Sequence, residues 1–323
     1  MRSDLMAVDL TVSIVNTNNR DLLRECLRTL FENTRHISME VYVVDNACTD
    51  GSAEMVEREF PQVHLIRNAS RLRFCTNHNQ VLRRGTGRYL LILNEDTEIT
   101  PGAFDDLVAF MDAHPDAGAA GVTVLNPDGT LQYSYARFPS LQSCLALTLS
   151  INRFLNDGHY PFVPLPEDDR PREVDWTNGA CLLVRREAMD RAGLLDEEFL
   201  IYAEEIDWCY RIRRAGWKVY YLPGVSIYHY QGKATSQTRP RRRFRINRSA
   251  LLFFRKHYSW LRTLGLRLIL LLTGIGRLLI WGPLYLVGWR KARARLEVIY
   301  NWRTILISLW RDDMFDAELM QIG

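Results

Sequence analysis

Apolar runs and amphipathic stripes alternate along the first 125 residues. LTVSIVNT (10–17) is a β-branched run ending in polar residues and reads as a buried strand. The next segment places Leu22, Leu23, Cys26, Leu27, Leu30 and Phe31 on one helical stripe. VYVVDN (41–46) is a second strand, closed by Thr49-Asp50-Gly51-Ser52, a turn that can open a helix. VHLIRN (63–68), a helix near 77–85, and RYLLILN (88–94) continue the alternation. Thr100-Pro101 predicts a helix start, with Thr as N-cap, Pro at the first helical position and Asp105 and Asp106 in the early turns. AAGVTVL (119–125) is a further strand and NPDGT a turn. Strands alternating with helices predict a mixed, mainly parallel α/β sheet with helices on both faces. In such sheets ligands bind beyond the carboxyl ends of the strands, where Asp45, Asn46, Asn94 and Asp96 fall.

The pattern then changes. Residues 131–173 predict a helix near 140–155 and a long loop holding Pro161, Pro164, Pro166 and Pro171. ACLLV (180–184) predicts a strand, followed by a short helix from Arg186 and another over 203–215. WKVYYL (217–222) and VSIYHY (225–230) predict two more strands. The stretch 261–289 is strongly apolar, but Arg267 and Arg277 leave uncharged runs too short for a simple membrane span. Pro283, Gly282 and Gly288 predict a bend there. A second amphipathic helix carries Ile299, Trp302, Ile305, Leu306 and Leu309.

Composition changes this picture little, and charge changes it more. With 47% hydrophobic and 24% charged residues over 323 positions, the chain is neither disordered nor a simple coiled coil. The net charge of +3 conceals a split. Residues 1–232 hold 23 basic and 33 acidic side chains, and residues 233–323 hold 18 basic and 5 acidic ones. A basic tail on an acidic body suggests an anionic partner for the tail. The plainer alternative is a solvated basic helix pair. The six cysteines show no CxxC spacing, which excludes a thioredoxin-like motif and a zinc ribbon and fits a reducing compartment. The N-terminus lacks the layout of a secretory signal, so the body is expected in the cytoplasm.

Three groups of residues carry candidate chemistry. Asn94-Glu95-Asp96 follows an apolar strand, and a carboxylate at such a strand end suits Mg²⁺ or Mn²⁺; a solvated turn is the alternative. Glu204, Glu205 and Asp207 crowd three carboxylates into four residues between aromatics. On a helix, Glu204 and Asp207 share a face while Glu205 points elsewhere. Crowding and burial raise a carboxyl pKa towards the range of a general base; a charged helix N-terminus is the alternative. His229, between Tyr228 and Tyr230, reads as a core histidine unless Asp96 lies beside it.

VSIVNTNNRDLLRECLRTL, VYVVDNACTDGS, YLLILNEDTEITPGAF, the long segment from NGACLLVRREAMD to VSIYHY, and FFRKHYS occur in that order over about residues 10–258. Together they resemble the family 2 glycosyltransferases, which have the GT-A fold, and within them the rhamnosyltransferase-like enzymes of bacterial surface polysaccharide synthesis. The resemblance implies a nucleotide-sugar donor, a divalent cation (Mg²⁺ or Mn²⁺) and inversion at the anomeric carbon. It implies that Asp45 contacts the nucleotide base beside Thr17, that Asp96 binds the metal with His229 as a further metal or diphosphate ligand, and that Glu205 is the base. Gly179-Ala180 would line the donor sugar and acceptor cleft. The family usually has Asp where Glu205 stands, which keeps Asp207 open as an alternative base. It often has Pro where Glu95 stands, and Gly where Arg73 and Asn79 stand. Arg73 and Asn77 fall among positions that line the donor site in relatives.

This organisation divides the chain into a nucleotide-sugar-binding half (1–125), an acceptor-binding half (126–258) and membrane-associated helices (259–323). The run RPRRRFRINR (239–248), with Arg239, Arg241, Arg242 and Arg243, is expected to contact diphosphate as a flexible flap or to dock on anionic lipid headgroups. The helices after it are expected to lie in the bilayer interface with arginines snorkelling to headgroups; a re-entrant hairpin and a soluble dimer interface rank behind. The expected activity is transfer of a sugar, rhamnose in first place, to a glycan acceptor linked to a polyprenyl diphosphate, at the cytoplasmic face of the inner membrane. The competing readings are a noncatalytic sugar-binding protein and a nucleic-acid binder using the tail. Nucleic acid is not expected as a partner, because the Arg run is not interleaved with a base-reading module.

Overall fold

The computed structural model describes residues 8–149, 168–230, 239–311 and 313–315. Pro161, Pro164, Pro166 and the polar GKATSQT segment lie outside the described residues. The chain forms two compact units: residues 1–138, 165–197 and 204–235 in the first, and 139–164, 198–203 and 236–323 in the second.

The first unit opens as the alternation predicts. β1 (Leu10–Asn16), α1 (Arg20–Asn33), β2 (Met39–Asp45), α2 (Ser52–Glu59), β3 (His64–Arg67), α3 (Phe74–Leu82) and β4 (Tyr89–Asn94) follow in order. β3-β2-β1-β4 are parallel neighbours, in a register that pairs Asn16 with Asp45 and Val15 with Asn94. The carboxyl ends of β2 and β4 therefore flank the end of β1. The chain continues through β5 (Thr97–Ile99), α4 (Ala103–Ala113), β6 (Ala117–Leu125), β7 (Leu131–Gln132) and β8 (Tyr135–Ala136). After residues of the second unit come β9 (Arg172–Val174), β10 (Trp176–Thr177), β11 (Cys181–Arg185), α6 (Arg186–Ala192), α7 (Glu204–Arg214) and β12 (Lys218–His229).

Among the described residues the main sheet has ten strands, ordered β3-β2-β1-β4-β11-β6-β12-β5, with β7 on β6 and β9 on β12. β11 runs antiparallel between β4 and β6, so the sheet is parallel on one side and mixed on the other. Leu10, Val12, Ile14, Leu91, Leu93 and Leu183, from adjoining strands, sit in one core with Leu23, Leu27 and Leu30 of α1. Gly121 of β6 permits a close approach: a Cβ there would stand 2.4 Å from Thr177 Oγ1.

Two boundaries differ from the sequence expectation. The Thr100-Pro101 helix start is displaced, since α4 begins at Ala103 behind Gly102 in the left-handed region (φ 76°). The Thr100 hydroxyl instead donates to the Ser226 carbonyl at 2.6 Å, and Asp105 accepts from the backbone N–H groups of Arg35 and His36. The two strands expected at 217–230 are one, β12, whose pairing to β6 skips between Leu222 and Ser226. Pro223, which has no N–H for a ladder, sits in that skip, and its carbonyl accepts from the Thr123 hydroxyl.

The second unit is helical: α5 (Leu141–Leu149), α8 (Arg239–His257), α9 (Trp260–Leu286) and α10 (Lys291–Leu309). The Arg run expected as a flexible flap is the first half of α8. Arg243 reaches the buried Glu297 of α10 at 2.7 Å, and Arg242 lies over the Tyr202 ring. α9 continues through Pro283 to Leu286, and of the residues expected to bend this stretch it is Gly288, in the left-handed region (φ 77°), that turns the chain into α10. Gly274 of α9 packs against Ile305 of α10 so closely that a Cβ would stand 2.8 Å from Ile305 Cγ1. Two arginines expected to snorkel turn inward instead. Arg267 donates to the carbonyls of Ile307, Ser308 and Trp310 at the end of α10, and Arg277 donates to Thr148 at the end of α5. Carbonyls at a helix C-terminus lack intrahelical donors, and a guanidinium satisfies them.

Candidate active site

The site lies in the first unit, where the ends of β1, β2 and β4 meet the end of β12. Asp45 closes β2, and its Oδ1 accepts from the Cys48 N–H at 2.8 Å, which fixes the DNACTDGS turn. The neighbouring Asn46 joins two segments: its Nδ2 donates to Thr17 Oγ1 and to the Leu72 carbonyl, and its Oδ1 accepts from the Leu72 N–H. Thr17 and Asp45 thus border one polar wall. Asn77, expected to touch the donor, is fully buried, with its amide engaged by Asn68 Nδ2 (2.7 Å) and the Leu72 carbonyl (3.2 Å). It supports the wall from behind and has no surface to offer a ligand. Arg73, also expected in the donor site, donates to the Glu197 carbonyl at 2.9 Å.

Asp96 and His229 come together. Asp96 follows β4, His229 ends β12, and His229 Nε2 stands 3.1 Å from Asp96 Oδ1. Both are buried. β5 holds this register by pairing Thr97 with His229, and the Tyr230 N–H donates to the Asp96 carbonyl. Gln132 orients the ring. Its Nε2 donates to the His229 carbonyl and to Asn126 Oδ1, so its Oε1 is the atom facing His229 Nδ1 at 3.0 Å. Nδ1 is then the N–H donor, and a neutral ring turns the Nε2 lone pair towards the Asp96 carboxylate. Asn94 Nδ2 adds a contact to Nε2 at 3.2 Å. Two electron-pair donors meeting in a buried place fit a cation, and a carboxylate with an imidazole suits Mn²⁺ or Mg²⁺. Among the described residues no group of three or more His, Cys, Asp or Glu forms a complete metal cage. Glu95 points to Asn19 Nδ2 (2.9 Å), and burial, with Asp96 beside it, pushes its carboxyl up to about 7.

Glu205 opens α7. The backbone ahead of it is unusual, since Tyr202 (φ 68°) and Ala203 (φ 70°) both take the left-handed region that disfavours side chains. Such conformations concentrate at functional sites. Burial pushes the Glu205 carboxyl up to about 7. Gly179 faces it, and a Cβ at 179 would lie 3.5 Å from Glu205 Cβ. The Asn94 N–H donates to the Ala180 carbonyl, which links this turn to the end of β4. Glu204 is buried with Oε2 unpartnered, and burial first, then Glu205, raises its carboxyl well above the usual range.

Asp207, the alternative base, sits two residues further along α7. It is almost wholly buried and pairs with Arg211 at 2.8 Å, one turn along α7. Arg211 also donates to the carbonyls of Ala192 and Leu194, and Trp208 Nε1 to that of Gly193. Asp207 therefore anchors α7 to the segment before it. Gln132 and Glu197 were not singled out from the sequence. Gln132 lies 97 residues from His229, and no local pattern links them.

A mixed sheet with a buried Asp–His pair and a carboxyl-bearing helix at its strand ends is the architecture of a nucleotide-diphospho-sugar transferase of the GT-A class. The family model described as "Glycosyltransferase like family 2" matches residues 8–248, so the chain belongs to that family and is a glycosyltransferase. A curated relative, N-acetylglucosaminyl-diphospho-decaprenol L-rhamnosyltransferase of Mycobacterium tuberculosis (strain ATCC 25618 / H37Rv), is 27% identical over 248 residues, covering 69% of this chain and 77% of its own. Two solved structures share the fold. The mannosyltransferase PcManGT from Pyrobaculum calidifontis, in complex with GDP-Man and Mn²⁺, matches with TM-score 0.55 and 17% identity over 95% of this chain and 88% of that one. GalNAc-T7 with UDP, GalNAc and Mn²⁺ matches with TM-score 0.59 and 16% identity over 78% of this chain and 48% of that one.

Proposed function

We propose that this glycosyltransferase moves a sugar, rhamnose in first place, from a nucleoside-diphosphate donor to a glycan on a polyprenyl diphosphate, with inversion. The observation that carries the reading is the buried meeting of Asp96 with His229, 133 positions apart in sequence, in the unit that also holds Glu205. The relative named for rhamnosyl transfer to a decaprenol-linked acceptor supports the sugar and the lipid. An acceptor on a lipid carrier supports a reaction at a membrane, which we put at the cytoplasmic face of the inner membrane.

Glu205 serves as the base. It takes the acceptor hydroxyl proton as that oxygen bonds to the anomeric carbon from the face opposite the diphosphate, whose bond to carbon breaks. A carboxyl near 7 is matched to this task at neutral pH. Gly179 keeps the approach to it open. Asp45, with Thr17 and Asn46, recognises the nucleoside. Asp96 and His229 would hold Mg²⁺ or Mn²⁺, which as a Lewis acid offsets charge on the departing diphosphate.

The test is a nucleotide-sugar panel with Mg²⁺ or Mn²⁺ and a polyprenyl-diphosphate N-acetylglucosamine acceptor, reading nucleoside diphosphate release. The expected result is acceptor-dependent release with one donor, abolished by chelator and by Asp96→Ala. Release that survives chelation would overturn the metal assignment. No turnover with any donor would support a noncatalytic sugar-binding role instead.

A further inference from the structure

The second unit carries an apolar surface that its own described helices leave uncovered. On α9, Leu261, Leu264, Leu268, Leu272, Ile275 and Leu279 follow at steps of three or four residues, so they share one helical face. Each is between 41% and 73% exposed. The opposite face, through Thr263, Leu266, Leu270 and Gly274, is buried. At 1.5 Å per residue the exposed stripe runs roughly 27 Å. A contiguous apolar face of that length marks a contact site rather than ordinary surface.

Its charges are sorted. Arg267 and Arg277, which interrupt the apolar sequence, turn inward onto helix ends and leave the stripe uncharged. Exposed cations stand at its two ends, Arg262 next to Leu261 at one and Arg290, Lys291, Arg293 and Arg295 beyond the other. Trp260 is exposed at the first end, and at the other Arg290 lies 4.5 Å from the centre of the Trp289 ring. From Arg239 to Leu296 the chain has no acidic residue, and the first, Glu297, is buried.

We infer that α9 lies flat in the headgroup–acyl boundary of a bilayer containing anionic lipid, with the Leu261–Leu279 stripe towards the acyl chains. Apolar side chains bounded by Trp and by cations complement such a boundary. α9 is long and apolar enough to cross a membrane. Its other face packs on α8 and α10, however, and α8 carries seven arginines and Lys256. Crossing would either part α9 from these helices or draw cations into hydrocarbon, and both are costly. A second copy of the chain fits less well, because the cations flanking the stripe would meet no acidic partner on the equivalent helices.

The inference rests on the membrane location proposed above and adds the face and the depth. Its test is flotation of the full chain with phosphatidylcholine vesicles, with and without phosphatidylglycerol. Wild-type protein should float with the anionic vesicles and be released by alkaline carbonate. The double variant Leu272→Asp, Leu279→Asp should keep its circular dichroism and lose binding by about tenfold or more. Leu272→Lys, Leu279→Lys should also bind more weakly, although it adds positive charge. Equal or tighter binding of the Lys variant would mean purely electrostatic docking and would overturn the inference while the location stands. Retention in carbonate would mean crossing, and would overturn the flat placement. A stable dimer in solution, split by the Asp variant whose flotation is unchanged, would assign the stripe to a second copy. Failure of wild-type protein to float with either vesicle would remove the location as well.

Discussion

At the scale of single residues, Glu205 and Asp207 show how two carboxylates on one turn acquire different work. Asp207 is buried and paired with Arg211, whereas Glu205 has no ion pair among the described residues and is pushed up to about 7 by burial. A base acts only when ionised. The kcat/KM of the wild-type enzyme should therefore rise about tenfold per pH unit below about 7 and level off above it. Glu205→Gln should lower turnover by about 10²-fold or more, with little change in donor affinity, and flatten the acid limb. The same shift has a stability sign. The folded carboxyl titrates above its ordinary value of 4.5, so its proton favours the folded state. That contribution is full below about 4.5 and is lost as pH rises through about 7. The melting temperature of Glu205→Gln relative to wild type should thus be higher at about pH 8 than at about pH 5. A pH-independent difference would show that Glu205 is not the shifted group. The placement of the candidate residues was legible in the sequence: Asp45, Asp96, Glu205 and His229 stand at or next to element ends. The buried state of Asn77 and Asp207 was not, because a polar residue on a helix reads the same whether its partners are protein groups or a ligand.

At the scale of elements, α7 is held by a relay that no periodicity announces. Asn79 of α3 accepts from the Leu195 N–H and donates to the Leu195 carbonyl and to Glu197 Oε1. Thr76 donates to the other Glu197 oxygen. The segment so fixed gives its carbonyls at Ala192, Gly193 and Leu194 to Arg211 and Trp208 of α7. The proposed base, Glu205, therefore inherits its position from α3. Asn79→Ala leaves a buried N–H and C=O of Leu195 unpaired, at a cost of about 1–3 kcal/mol each. The variant should melt lower and lose kcat more than it gains KM, since misplacing a base affects the transition state above all. Unchanged kcat at a temperature where the variant is folded would remove Asn79 from the positioning role. The helix itself is readable from apolar spacing. A side chain that ties two backbone segments 116 positions apart is not, because it leaves no local trace.

At the scale of the whole molecule, the opposed charges of the two parts of the chain acquire separate explanations. The acidic part holds the carboxylates of the site. In the basic part several cations are internal: Arg243 meets Glu297, Arg248 donates to the Glu198 carbonyl, and Arg267 and Arg277 cap helix ends. The alternation of strands and helices made the parallel half of the sheet legible. It could not reveal β11 between β4 and β6, because strand order depends on long-range pairing. Nor could it reveal that the arginines of α9 turn inward, since an apolar stretch interrupted by charge reads as unfit for deep burial. That orientation sets the expected salt response of membrane binding. If cations alone held the protein to anionic vesicles, raising salt to about 1 M, where the screening length falls to about 3 Å, would release it. With an uncharged stripe in the acyl boundary, screening removes only the electrostatic share. The bound fraction of wild-type protein should fall with salt and then level off above zero, near the level reached on phosphatidylcholine alone. In Leu272→Asp, Leu279→Asp the plateau should vanish and the residual binding should be fully salt-labile. Flotation across a salt series reads both curves. A wild-type curve that falls to zero would mean that the stripe contributes nothing to holding the protein on the bilayer.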